Sequence, residues 1–574
     1  MRKYVFMAFM SFFLLGCVPT AQVEEQILTT VCNPMNLSYR FRPETPSRRE
    51  AADPSVVFFQ DTYFLFASKS GGYWYSSDLV DWHFVKSSSI PSEEYAPTAI
   101  PLGDTLYFLA SSLTKSTIYK TANPLSGEWE VALDSLELPV WDPAFFLDDD
   151  QKLYLYWGCS DVDPIYGVEI DYNNNFKFLG VPSELIYSHP ERHGWEVPGD
   201  YNSEHLLNPW IEGAWMNKHE GTYYLQYAGP GTKFKSYNDG VYVSTNPLGP
   251  FEVDAHNPFA YKPEGFANGA GHGSTFQDKY GNYWHVGTVT VSVKHRFERR
   301  LGFYPVFFDS QGIMHTHTRF GDYPLIVPDR KIEQASDLFP EWMLLSYKSS
   351  VAVSSAIDSF EAENMVDENI RTYWAAKSGG DEWAVVDLGS EEDVYAVQLN
   401  FAEHLTKIYD RQDGLYHRYT VEFSSDSTNW TLLADRSASQ SDHSHSYFPL
   451  SQKVRCRYLK VKNLAVPDGH FAISGFRIFG KGNDDLPQSV KDIRAIRNLL
   501  DRRKVRLEWP KSESALGYNV RFGIEETKLY QNYLVYEDTS LIINSLATDR
   551  SYYFAVEAFN DSGVAPIDFQ LRVE

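Results

Sequence analysis

The sequence predicts an all-β chain whose first half is a five-bladed β-propeller. One phrase recurs five times between residues 46 and 335: a short strand opening on an acidic residue, a proline or a histidine, then a polar turn, then an aromatic-rich strand. Aromatic residues make up 16% of the 574, and 36 glycines and 30 prolines supply turns, a composition that suits β-architecture. Five β units at near-regular spacing mean radial repetition, the arrangement by which a propeller hides its sheet edges.

The units follow in order. Asp53-Pro54 leads into FFQDTYFLFAS, Tyr95-Ala96-Pro97-Thr98 into GDTLYFLAS, and Trp141-Asp142-Pro143 into DQKLYLYWG. Ile211-Glu212-Gly213 leads into EGTYYLQYAG, and Gly271-His272-Gly273 into YGNYWHVGT. Asp53 stands 10 residues before Tyr63, Pro97 10 before Tyr107, Asp142 12 before Tyr154, Glu212 11 before Tyr223 and His272 11 before Tyr283. Inner strands line a propeller's axis, so equivalent positions of different blades converge. Two aspartates, a glutamate and a histidine occupy four of the five.

The flanks read differently. Arg2 and Lys3 precede an apolar run over 4–15, too short to span a bilayer and suited to a signal peptide. It ends Leu14-Leu15-Gly16-Cys17, which looks like a bacterial lipobox. The expectation is a signal peptide over 1–16, lipidation at Cys17, a tether and entry segment over 17–45, and an outer-membrane lipoprotein facing the periplasm or the cell surface. Cys32, Cys159 and Cys456 are widely spaced without a CxxC, which argues against zinc and leaves one disulfide open. A net charge of −25 excludes nucleic acid as a partner, because phosphate backbones need a basic surface.

Three carboxylates on three inner strands, with Trp141 and Trp210 beside them, suit glycosidic hydrolysis. That reaction needs one carboxyl to protonate the leaving oxygen and another to activate water or attack. A third raises the acid's pKa by like-charge repulsion. The polar loop HPERHGWE at 189–196 lacks HExxH spacing and reads as a structured loop between blades, with a substrate-side rim as the alternative.

The five motifs in order resemble glycoside hydrolase family 43, five-bladed propellers that hydrolyse with inversion. The resemblance implies Asp53 as general base, Glu212 as general acid and Asp142 as pKa modulator. It implies His272 near the axis, where family members often hold a water-ligated calcium ion; the family's GHNS reads GHGS here. It places Arg300 near the acidic cluster. Trp74 and Trp141 are candidates to stack on sugar. No cofactor is needed for the chemistry.

Residues 340–482 carry MVDENIRTYWAA, EWAVVDLG, YTVEFSSDSTNW, RYLKVKN and ISGFRIFG. They resemble a discoidin-like jelly roll, also used by carbohydrate-binding module family 32, with Asp367, Asn369 and Trp374 expected in loop structure and core. This domain is expected to pack on the propeller and to affect stability or targeting, not chemistry. Residues 486–574, with VRLEWPKS, GYNVRFG and SYYFAVEAFNDSG, resemble a fibronectin type III sandwich with core aromatics Trp509, Tyr518 and Tyr553.

The resemblance favours an exo-acting β-xylosidase or α-L-arabinofuranosidase acting on plant or algal polysaccharide. A galactose- or galactan-directed enzyme of the same fold is the alternative, and a catalytically dead surface glycan-binding lipoprotein is the alternative of another class. A retaining, invertase-like propeller is disfavoured because its WMNDPNG and Glu-Cys motifs are absent.

Overall fold

The computed structural model describes residues 28–574; the leader and Cys17 lie outside the described residues. Five antiparallel sheets follow one another. Blade I comprises Ala52–Phe59, Thr62–Ser68, Gly72–Ser76 and His83–Lys86, and blade II Thr98–Leu102, Thr105–Leu109, Ile118–Thr121 and Glu130–Leu133. Blade III starts at Ala144–Leu147, Leu153–Trp157 and Ile165–Asp171. Blade IV holds Ile211–His219, Thr222–Gly229, Asn238–Ser244 and Glu252–Val253. Blade V holds Gly271–Gln277, Tyr283–Thr290, Arg299–Phe308 and Met314–Thr316.

Local chemistry explains the hairpins. In blade I the pair Phe59 and Thr62 is joined by Gln60 and Asp61, both at positive φ (50° and 59°). In blade IV the pair His219 and Thr222 is joined by Glu220 and Gly221, at 47° and 83°. Two-residue turns of that hand match the twist of the flanking strands. The inner strands are buried on both faces because each packs between two neighbours. Apolar clusters fill the gaps between blades: Phe66, Phe108 and Trp129 between I and II, Phe145 and Phe176 between II and III, and Tyr156 and Met216 between III and IV. Tyr224 and Tyr304 lie between IV and V, and Trp74, Trp284 and Phe303 between V and I.

Side-chain hydroxyls sew the inner strands together. Ala99 N–H donates to Ser55 Oγ at 3.3 Å, Phe145 N–H to Thr98 Oγ1 at 3.3 Å, and Val56 N–H to Ser274 Oγ at 3.1 Å. One joint differs. The short strand Cys159–Ser160, which lies between the second and third strands of blade III in the chain, pairs with Ile211 and Glu212 and belongs to the sheet of blade IV. Blades V and I exchange no strand.

From residue 28 on, the entry segment is no free tether. Thr30–Val31 pairs with Leu325–Ile326, Asn33 exchanges hydrogen bonds with Phe303, and Leu37, Tyr39 and Phe41 are buried.

The second domain is an eight-stranded β-structure built around two long bent strands, Trp383–Phe401 and His445–Ala465. Trp374 is fully buried in its core, and Asp367 shapes its loop by accepting from Asn369 N–H and the Thr372 hydroxyl. The last domain packs a three-stranded sheet on a five-stranded one. Trp509 and Tyr518 are in its core, but Tyr553 is not: Tyr552 is the buried residue, because side chains alternate along the strand Tyr552–Asn560. The Tyr552 hydroxyl accepts from Ala547 N–H at 2.9 Å, a corner found in sandwich domains.

The loop 189–196 joins the propeller to this last domain. Gly194 N–H donates to Leu546 O at 3.0 Å, and His193 bridges to Ala547. A Cβ on Gly194 would sit 2.2 Å from Asn544 O, which explains the glycine. Free thiols remain at Cys32, Cys159 and Cys456.

Candidate active site

The site grows out of a repeated backbone kink. Asp53, Ala96, Asp142, Gly213 and His272 all have positive φ, at 50°, 42°, 48°, 61° and 46°. In blades I, IV and V the kink coincides with a slip of strand register, between Ala52 and Ser55, Glu212 and Trp215, and Gly271 and Ser274. Such bulges re-aim side chains, here toward the axis. Four of these residues have a Cβ and pay for the conformation, as residues at functional sites do.

Blade IV breaks the pattern. Gly213, not Glu212, occupies the left-handed position, so Glu212 projects from one residue earlier than Asp53, Asp142 and His272. The cause is steric: a Cβ on Gly213 would lie 2.5 Å from His272 Cγ. Glu212 is paired across the strand with Cys159, whose thiol donates to Glu212 Oε2 at 3.2 Å.

Asp53 is held as a carboxylate. Its oxygens accept from Ser68 Oγ at 2.5 Å and Arg299 Nη1 at 3.1 Å, and His272 Nδ1 lies 3.4 Å away. Burial pushes its pKa up, but the Arg299 and His272 charges and the Ser68 hydroxyl outweigh burial and leave it below the usual range. Asp142 is the opposite case. Burial, opposed by His272 and reinforced by Glu212 and Asp53, raises it to about 7. Its oxygen, a Glu212 oxygen and Cys159 Sγ all lie within 4.8 Å of one another. Ser111 Oγ donates to Asp142 at 3.1 Å, and Tyr237 Oη donates to Glu212 at 2.5 Å.

His272 is the counter-charge. Burial disfavours its imidazolium, but Asp53, Asp142, Glu212 and Asp239 outweigh burial and raise its pKa. Asp239 fixes its backbone, accepting from His272 N–H at 2.7 Å and Gly273 N–H at 3.1 Å. Its Nδ1 faces the Asp53 and Asp142 carboxylates at 3.4 and 3.7 Å, and both Asp239 oxygens are taken by backbone N–H groups.

Two expectations for substrate contacts fail. Trp74 is 0% exposed, seated between blades V and I with its Nε1 donating to Ser38 Oγ, so no sugar reaches it. Arg300 turns away from the acids to His445 Nε2 and Arg49 O, while its neighbour Arg299 takes the place beside Asp53. Alternation along the strand Arg299–Phe308 puts only one of the two on the axial side. Trp141 is half-buried beside Asp142 and does not line the cavity described next.

A cavity of about 420 Å³ opens over Glu212, within the range of ligand pockets. Trp210, Phe297, Phe234 and Pro198 line it, and Trp210 is 45% exposed.

Residues 47–312 match the model for glycosyl hydrolases family 43, and residues 349–475 match the F5/8 type C domain. The propeller matches family 43 glycosyl hydrolases, so the chain carries a glycosidase domain followed by a discoidin-like domain. It is similar to a solved glycoside hydrolase at 19% identity, over 77% of this chain and 99% of that one, with a TM-score of 0.45. It is also similar to the Bacteroides ovatus xyloglucan PUL GH43B, at 13% identity over 95% and 98% of the chains and a TM-score of 0.43. An α-L-arabinofuranosidase from Clostridium thermocellum is similar at 16% identity over 48% and 95%, with a TM-score of 0.36. No curated protein matches.

The family 43 domain is not electrostatically self-contained. Arg299 Nη2 donates to Glu50 at 2.9 Å, and the adjacent Arg49 is fully buried between two acids of the discoidin-like domain. Arg49 Nε donates to Glu403 at 2.7 Å, and its two Nη groups clasp Asp442 at 2.8 Å each. A chain of charge thus runs from Asp53 through Arg299 and Glu50 to the segment held by the second domain. Arg299, Cys159, Tyr237 and Ser68 went unrecognised in the sequence because they lie on second and third strands or at a blade junction, outside the repeated phrase.

Proposed function

We propose that the protein is an inverting, exo-acting glycosidase that releases a terminal pentose, β-xylosyl or α-L-arabinofuranosyl, from plant or algal polysaccharide or its oligosaccharides. The observation that carries the mechanism is the division of the three carboxyls into different environments. Asp53, paired with Arg299 and His272, is suited to take a proton from water as general base. Asp142, raised to about 7, lies beside Glu212, and Glu212 is the one of the two that faces the cavity. Glu212 is therefore placed to protonate the leaving oxygen, with Asp142 orienting it. His272 balances the charge of the acids. Trp210 offers its exposed face to a sugar ring.

We further propose attachment to the membrane through acylated Cys17, and a fibronectin type III-like identity for residues 486–574. Among the described residues no helix is long and apolar enough to cross a membrane.

The deciding test is NMR of the first product from a panel of nitrophenyl xyloside, arabinofuranoside and galactoside. Turnover of one pentoside with initial release of the opposite anomer supports the proposal. Release of the same anomer would demand a covalent glycosyl-enzyme and overturn it.

A further inference from the structure

Two cations stand at the cavity without an acid. Lys233 and Arg296 line it together with Glu212, and among the described residues neither has a carboxylate within ion-pair distance. Both side chains lie over the aromatic residue that follows them: Lys233 Nζ is 4.8 Å from the Phe234 ring centre, and the Arg296 guanidinium is 4.9 Å from that of Phe297.

Their loops are pinned rather than free. Thr232 Oγ1 accepts from Arg299 Nη1 at 3.0 Å, tying the Lys233 loop to the arginine that holds Asp53. On the other loop, Lys294 N–H donates to Glu298 at 2.8 Å and Arg296 O accepts from Ser292 Oγ at 3.2 Å. Hydrogen bonds thus hold both loops that carry these exposed cations at the cavity wall. One carboxylate besides Glu212 lines the cavity, Asp161, and it pairs with neither.

From this we infer that the cavity selects glycans carrying an anionic group, the carboxylate of a uronic acid or a sulfate ester, held by Lys233 and Arg296 beside the scissile bond. The inference rests on the reading of this cavity as the catalytic one. A planar guanidinium suits either oxyanion bidentately, and the ammonium adds a point charge.

The test compares kcat/KM for three oligosaccharides of one backbone: neutral, uronate-substituted and sulfated. A charged hydrogen bond is worth about 1.5–3 kcal/mol, so the anionic substrate should be preferred by about tenfold or more. The preference should shrink with added salt and collapse toward unity in Lys233→Gln/Arg296→Gln. The two anionic arms identify the oxyanion. Calorimetric binding of the same oligosaccharides gives a readout that does not depend on turnover. Equal kcat/KM and equal affinity for neutral and anionic glycans overturn the inference while leaving the proposed hydrolysis intact. Preferred binding of the anionic glycan without turnover of any substrate supports the inference and overturns the hydrolytic reading.

Discussion

Arg49→Met tests whether the discoidin-like domain takes part in holding the catalytic base. In the wild type the guanidinium is fully buried and answers two acids of the neighbouring domain, Glu403 and Asp442. Methionine fills much of the volume but leaves both acids without their cation. Breaking a buried pair by removing one partner costs about 3–5 kcal/mol. That is a large share of the roughly 5–15 kcal/mol by which such domains are stable. The adjoining Glu50 orients Arg299, and Arg299 orients Asp53. A displacement of about 1 Å at the base costs on the order of 100-fold in rate. The expected outcome is a lower urea midpoint together with a fall in kcat much larger than the change in KM on an aryl pentoside. Glu403→Gln with Asp442→Asn should reproduce the kinetic defect from the other side of the boundary. A chain ending at residue 338 that keeps its full kcat would refute the reasoning. The sequence-based expectation that residues 340–482 leave chemistry untouched would then stand.

Four further outcomes follow from the geometry. Glu212→Gln should cut turnover by about 10²–10⁴ for alkyl or sugar leaving groups and far less for nitrophenyl ones, measured as the slope of rate on leaving-group acidity. Asp142→Asn should move the basic limb of the kcat/KM profile to lower pH. The wild-type carboxyl keeps its proton up to about 7, and activity is lost as rising pH removes it; an unmoved limb would show that Asp142 does not govern the acid. Gly213→Ala should abolish activity and lower the thermal midpoint, because the new methyl meets the His272 ring and the backbone sits at positive φ. Cys17→Ala should release the protein from the membrane fraction; unchanged fractionation would sink the proposed lipid anchor.

Much of the propeller was legible because each blade repeats the same strand, turn and strand, and the period places its opening residues at the axis. Asp53, Asp142 and His272 could be aligned that way. Glu212 was found by the same count, yet its true position is one residue out of step, since a side chain-free position was needed opposite His272 and only three-dimensional packing shows that. Trp74 misled because an aromatic beside a catalytic motif looks the same in sequence whether it faces sugar or the next blade. Arg299 and Arg300 are indistinguishable until the strand's phase is known, and the same one-residue ambiguity exchanged Tyr552 for Tyr553. Arg49 gave no signal at all, since its partners Glu403 and Asp442 lie more than 350 residues away in the chain.

The ring is a chain of joints of unequal strength. Blade III lends a short strand to blade IV, whereas V and I meet through packed side chains, hydroxyl bonds such as Asp53 N–H to Thr288 Oγ1, and the backbone bond from Ala51 N–H to Arg299 O. Asp53 lies on that joint, where the ring closes, and the clasp across it is the entry segment with the second domain behind it. Heating should therefore silence the enzyme by spreading the ring at its catalytic seam while the sheets are still intact, so that inactivation runs ahead of the loss of β-structure and is slowed by anything that tightens the clasp.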